Sequence, residues 1–148
     1  MRKRGLWSWK IDIALRNSFI KVGDEMKDQI IKRGDIYYAD LNPVVGSEQG
    51  YYRPVLIVSN NAGNKHSQTV VVVPLTCKLK KKSLPTHVFI PFFPGIKTDS
   101  MALAEHIKTI DRSRLDEYVG RIDDILQPKI DAALAISIGI DKNHSNSR

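Results

Sequence analysis

The chain of 148 residues contains one cysteine, Cys77, so no disulfide can form within it. A bridge-stapled secreted scaffold is therefore excluded, and a reducing compartment is expected. No apolar run is long enough to cross a bilayer, so no membrane association is expected. Trp7 to Leu15 carries Lys10 and Asp12 inside its apolar pattern, which makes a poor signal-peptide core. The chain is read as soluble and cytoplasmic. Metal ligands are equally sparse. His66, His87, His106 and His144 are scattered without ligand spacing, so neither metal nor cofactor is expected. No phosphate-binding P-loop, dinucleotide glycine fingerprint or G-x-S-x-G elbow occurs, which removes the commonest nucleotide and serine-hydrolase chemistries.

One further absence is local. From Gln49 to Thr98 there is no Asp or Glu, while Arg53, Lys65, Lys78, Lys80, Lys81, Lys82 and Lys97 fall in that stretch. Acids return from Asp99 onward, and the net charge is +7. A chain polarised in this way should present a positive face, suited to nucleic acid or an acidic peptide. A lysine run alone would be read as a solvated loop. The long acid-free stretch weakens that reading.

What is present is a series of short β-type runs. Ile31 to Leu41 reads as a strand with a glycine break, and Pro54 to Ser59 as a buried strand. Asn60 to Asn64 reads as a loop by composition. Thr69 to Thr76 is a second buried strand, whose Pro74 should sit at an edge or bulge. Cys77 to Leu84 is a lysine loop, and Thr86 to Ile90 a strand. Ser100 to Ile110 continues the sheet. Asp111 or Ser113 could cap a short helix through Glu117, and Tyr118 to Ile122 is a short strand. A terminal helix starts at Asp123 or Asp124. Its apolar positions from Ile125 to Ile138 cover more surface than one core face needs, so its far side is expected to meet a partner subunit. Many strands with one terminal helix give a mainly β (α+β) fold: a small, mostly antiparallel β-barrel with a C-terminal helix. Residues 1–28 are expected to lie outside this core as an extension, with Met26 as a second candidate start. Residues 142–148 form a polar tail.

The stretch Asn42 to Asn60 joins a turn-rich loop to the strand Val55 to Val58, with Arg53 at the junction. By position alone Arg53 is a solubility residue and Thr76 an ordinary strand-end threonine. Their chemistry allows more. An arginine fork matches a phosphate with paired hydrogen bonds and stabilises charge developing on it, and a hydroxyl at the end of a neighbouring strand could point at the same anion. A lone histidine is more often structural, so His87 ranks low and His106, beside Glu105, slightly higher.

The run Arg33 to Gly50 (R-G-D-I-Y-Y-A-D-L-N-P-V-V-G-S-E-Q-G), followed by Arg53 to Asn60 (R-P-V-L-I-V-S-N), closely resembles the MazF/PemK-type toxin ribonucleases. So do Val73 to Thr76, Leu84 to Val88 and Glu105 to Asp111. The resemblance runs in order from about Ile30 to Ile140, which gives a toxin-like domain at 29–141. It implies an SH3-like barrel that forms a homodimer. It also implies a metal-independent, sequence-specific endoribonuclease of a toxin–antitoxin pair that cuts single-stranded RNA. In the family the arginine of R-P-V and the threonine after the third strand form the catalytic pair, which assigns those roles to Arg53 and Thr76. The resemblance also implies RNA contacts from Ser47, Glu48, Gln49, Lys78, Lys80, Lys81, Ser100 and His106, the last standing where close relatives often have glutamine. The implied partner is an antitoxin with an acidic, partly disordered tail that fills the RNA groove. The competing expectation is a non-catalytic, CcdB-like toxin that binds DNA gyrase on the same fold.

Overall fold

The computed structural model describes residues 30–79 and 84–140. The extension expected at 1–28, the tail at 142–148 and the lysines Lys80, Lys81 and Lys82 lie outside the described residues. The element order is β1 (Asp35–Asp40), β2 (Tyr52–Ile57), α1 (Asn61–His66), β3 (Thr69–Thr76), β4 (His87–Ile90), β5 (Ser100–Leu103), a 3-10 turn (Ala104–His106), β6 (Lys108–Asp111), a second 3-10 turn (Arg112–Arg114), β7 (Leu115–Arg121) and α2 (Leu126–Ile138). The strands form one sheet of order β4-β5-β3-β2-β1-β7, with β6 also on β3. Every pairing is antiparallel. The path from β4 to β7 does not close, so the expected barrel is an open, barrel-like sheet.

The uninterrupted apolar runs have a direct cause. Successive strand side chains point to opposite faces, and both faces of this sheet are covered. Leu56, Val58, Val73 and Leu75 belong to a core shared with Ile130 and Ala133 of α2. The alternate residues Val55, Ile57, Val70 and Val72 pack with Tyr37, Ala39, Leu41 and Ile110 in a second core. Full burial of one such side chain contributes roughly 1.5–3 kcal/mol, and Val55, Leu56 and Ile57 are all at 0% exposure.

Pro74 corrects an expectation. It lies within a central strand, opposite Val55 of β2. On the other side of β3, β6 pairs only as far as Val72 and β5 begins at Leu75. Pro74, which has no N–H to donate, falls in the gap between those two ladders.

Three further expectations are corrected. Asn60 to Asn64 is not a loop: Asn60 caps α1 by accepting from Gly63 N at 2.7 Å, and the buried Asn64 amide donates to Ser59 O at 2.9 Å. Composition could not show those two side-chain bonds. Ser100 to Ile110 is two strands broken by the 3-10 turn. Asp111 caps only the second 3-10 turn, through Ser113 N at 2.8 Å, and β7 takes over at Leu115. The terminal helix is present. Asp123 Oδ1 accepts from Leu126 N at 2.8 Å at its start, and Gly139, at φ 76°, ends it in the left-handed conformation.

Candidate active site

The loop from Asn42 to Tyr51 closes the β1–β2 hairpin. Its base is tied by Leu41 N donating to Tyr51 O at 3.0 Å and Tyr51 N donating to Asn42 Oδ1 at 3.1 Å. The Asn42–Pro43 peptide is cis. Arg114 of the second 3-10 turn donates to the carbonyls of Asp40 and Asn42, which clamps the loop's first leg. Gly50 is buried, and a Cβ there would meet Val44 Cγ1 at 2.7 Å, so the second leg folds tightly over the first.

This tight leg holds Arg53. Its Nε donates to Gly50 O and its Nη1 to Gln49 Oε1, both at 2.7 Å. Two anchors on one planar fork fix its direction and leave Nη2 without a partner among the described residues. Burial pushes the Arg53 pKa below its ordinary value, while nearby Cys77 acts in the opposite sense. The guanidinium remains a cation at neutral pH.

The β-ladder places the second residue. Val55 pairs with Pro74, Leu56 with Val73 and Ile57 with Val72. The ladder ends at the Val55–Pro74 pair; Arg53 and Thr76 lie two residues beyond it, one on each strand, and by strand alternation on the face of that pair. Thr76 Oγ accepts from Lys78 N at 3.1 Å. Its hydroxyl hydrogen has no acceptor among the described residues. A guanidinium edge and a hydroxyl, both free to donate, therefore share one end of the sheet.

The other expected residues divide. Ser47 and Glu48 are exposed at the loop tip, and Lys78 is exposed where β3 ends. Gln49 is half-buried on Arg53, so in this arrangement it positions the arginine rather than reading a ligand. Ser100 does not join the site. It is 3% exposed, donates to Thr98 O at 3.3 Å and, by strand alternation, sits on the face of Ala102, opposite to Thr76 and Met101. His106 lies on the first 3-10 turn with Nε2 4.0 Å from Glu105 Oε1, too far for a hydrogen bond.

His87 is structural. Its side chain is 1% exposed, and its Nδ1 accepts from Leu84 N at 3.1 Å. The other ring nitrogen therefore carries the proton and donates to Glu105 Oε1 at 2.7 Å. Thr86 Oγ donates to Glu105 Oε2 at 2.8 Å. Burial alone would raise the Glu105 pKa. Hydrogen bonds from its own backbone, His87 and Thr86 together outweigh it and hold the carboxyl below its usual range. Among the described residues no group of three or more His, Cys, Asp or Glu side chains could hold a metal ion.

Comparison with known proteins shows the family. Residues 32–138 match the family described as the PemK-like, MazF-like toxin of type II toxin–antitoxin systems. Endoribonuclease EndoA of Bacillus subtilis (strain 168) is 48% identical over 112 residues, covering 75% of this chain and 97% of that protein. The fold resembles an endoribonuclease from a mycobacterial species solved in complex with its cognate antitoxin. That likeness has a TM-score of 0.62 and 32% identity, over 75% of this chain and 97% of that one. MazF from Deinococcus radiodurans superposes with a TM-score of 0.66 at 26% identity, over 76% of this chain and 99% of that one. The chain therefore belongs to the PemK-like, MazF-like family of type II toxin–antitoxin toxins.

Proposed function

We propose that this chain is the endoribonuclease toxin of a toxin–antitoxin pair and cuts single-stranded RNA without a metal ion. The observation that carries the reading is that Arg53 and Thr76 lie two residues beyond the Val55–Pro74 pair of β2 and β3, each with a donor left free among the described residues. The RNA phosphate occupies the space between them. The substrate's 2′-hydroxyl oxygen attacks the adjacent phosphorus and the 5′-oxygen leaves, which yields a 2′,3′-cyclic phosphate and a 5′-hydroxyl. Arg53 stabilises the charge that builds on the phosphate oxygens. An arginine is a poor proton acceptor, because its pKa lies above ~12, so electrostatic stabilisation is the role assigned to it. Thr76 orients the same phosphate through its hydroxyl. Ser47 and Glu48 contact bases splayed from the strand, and Lys78 meets the backbone and adds affinity without sequence choice. His106 is assigned as a further contact for RNA.

The partner is an antitoxin, as in the mycobacterial complex. The acid-free stretch from Gln49 to Thr98 suits an acidic tail lying in the RNA path. Two copies form a homodimer through apolar surface that includes the outer side of α2, where Ile125, Ile136 and Ile138 are 73%, 54% and 58% exposed. The test is end-group analysis of fragments cut from a long transcript. Cyclic phosphate ends support the attack described. Ends bearing a 5′-phosphate would exclude it.

A further inference from the structure

Phe89 has no structural duty that explains its place. It is 48% exposed, between the buried Val88 and Ile90 of β4. A singly exposed phenylalanine is ordinary, but its register is informative. Phe89 pairs with Met101, and Met101 pairs with Thr76. One row across β3, β5 and β4 therefore reads Thr76, Met101, Phe89, whose side chains share a face, and Arg53 lies near the start of the neighbouring β2. Adjacent strands lie ~4.8 Å apart, so Phe89 stands about 10 Å from Thr76 along that row. Met101, between them, is 6% exposed and forms a low apolar floor. β4 lies wholly within the acid-free stretch. The carboxylate next to it, Glu105, is already bonded to Thr86 and His87.

Building on the ribonuclease reading, we propose that Phe89 is a base-stacking residue. It receives the base of a nucleotide next to the scissile phosphate and sets how that nucleotide is held while Arg53 and Thr76 act. An exposed aromatic ring on the same face as a phosphate-binding site is an arrangement that binds unstacked bases, worth about 1–3 kcal/mol per base. Stacking accepts any base, so Phe89 contributes grip and register, and sequence choice stays with the Gly46 to Gly50 loop.

The experiment uses the full chain and short RNAs spanning a mapped cut site, with each flanking position made abasic in turn. Phe89→Ala should raise KM on normal RNA about 5- to 150-fold, with kcat nearly unchanged, and Phe89→Trp should restore KM. At one flanking position the abasic RNA should bind wild type and Phe89→Ala equally. An unchanged KM in Phe89→Ala overturns the proposal. So does a loss that persists with every abasic RNA, or a change in native mass showing that Phe89 joins two copies. If wild type leaves the RNA whole, the ribonuclease reading fails. Equilibrium binding of an unstructured single-stranded RNA to wild type and Phe89→Ala then decides the stacking claim, and equal affinity overturns it.

Discussion

At the scale of single residues, the site depends on how Arg53 is held. A free arginine on a loop samples many rotamers, whereas bonds to Gly50 O and Gln49 Oε1 leave one edge of the fork presented outward. Gln49→Ala removes one anchor and should lower kcat about 10- to 100-fold, because small misplacements of a catalytic group are costly. Thermal stability should barely change, and steady-state kinetics beside a melting curve reads both. Motif resemblance singled out Arg53 and Thr76, but nothing in the sequence signals the bond between Gln49 and Arg53. Gln49 stands beside Ser47 and Glu48 in a loop whose composition says only that it turns, and its direction follows from the tight second leg over Val44. That Ser100 faces away from Thr76 could not be read from the sequence, because strand alternation cannot be applied until the pairing with β3 is known.

At the scale of elements, the buried runs were readable because β-branched residues between turn residues have few other solutions. β3 matches the expected span of Thr69 to Thr76. Breaks were harder. The 3-10 turn between β5 and β6 and the short α1 depend on side-chain hydrogen bonds formed by distant folding. β1 carries one unusual group. Tyr37 is 2% exposed, and its hydroxyl has no hydrogen-bond partner among the described residues. Burial, then Asp35, then Tyr118, pushes its pKa up to about 12. The fold favours the neutral phenol, so its contribution is full below the unfolded value of ~10 and is lost as pH rises toward about 12. Tyr37→Phe should flatten this alkaline limb of the stability curve. It should also raise neutral-pH stability by up to about 1 kcal/mol by removing an unpaired buried hydroxyl. Denaturant melts across pH measure both.

Glu105, which ties β4 to the 3-10 turn, has the opposite sign. Its folded pKa is depressed, so its contribution is present above the unfolded value of 4.5 and is lost as pH falls through the lower, folded one. Glu105→Gln should therefore weaken the acid-side dependence in the same melts.

At the scale of the whole molecule, the charge layout and the broad apolar helix were visible early. How they are used required the sheet order. The strands that carry Arg53 and Thr76 are both central, β2 between β1 and β3, and β3 flanked by β2, β5 and β6. That placement makes the site rigid while the loop tip stays exposed. On α2, Ala132 and Ile136 are exposed apolar residues at helical spacing, away from the buried Ile130 and Ala133. A charge there should oppose association of two copies. Ile136→Asp is expected to shift native mass from dimer toward monomer in light scattering at micromolar concentration, with the monomer still folded. A mass unchanged from wild type would place the dimer surface elsewhere.

The central claim is that a metal-independent ribonuclease acts through Arg53. The most direct measurement incubates a long single-stranded RNA, in EDTA, with wild type and with Arg53→Ala shown by circular dichroism to be folded. Wild type should give discrete fragments, and Arg53→Ala should cut at least about 10²–10³-fold more slowly. RNA left whole by wild type, or the same fragments at the same rate from Arg53→Ala, would contradict it.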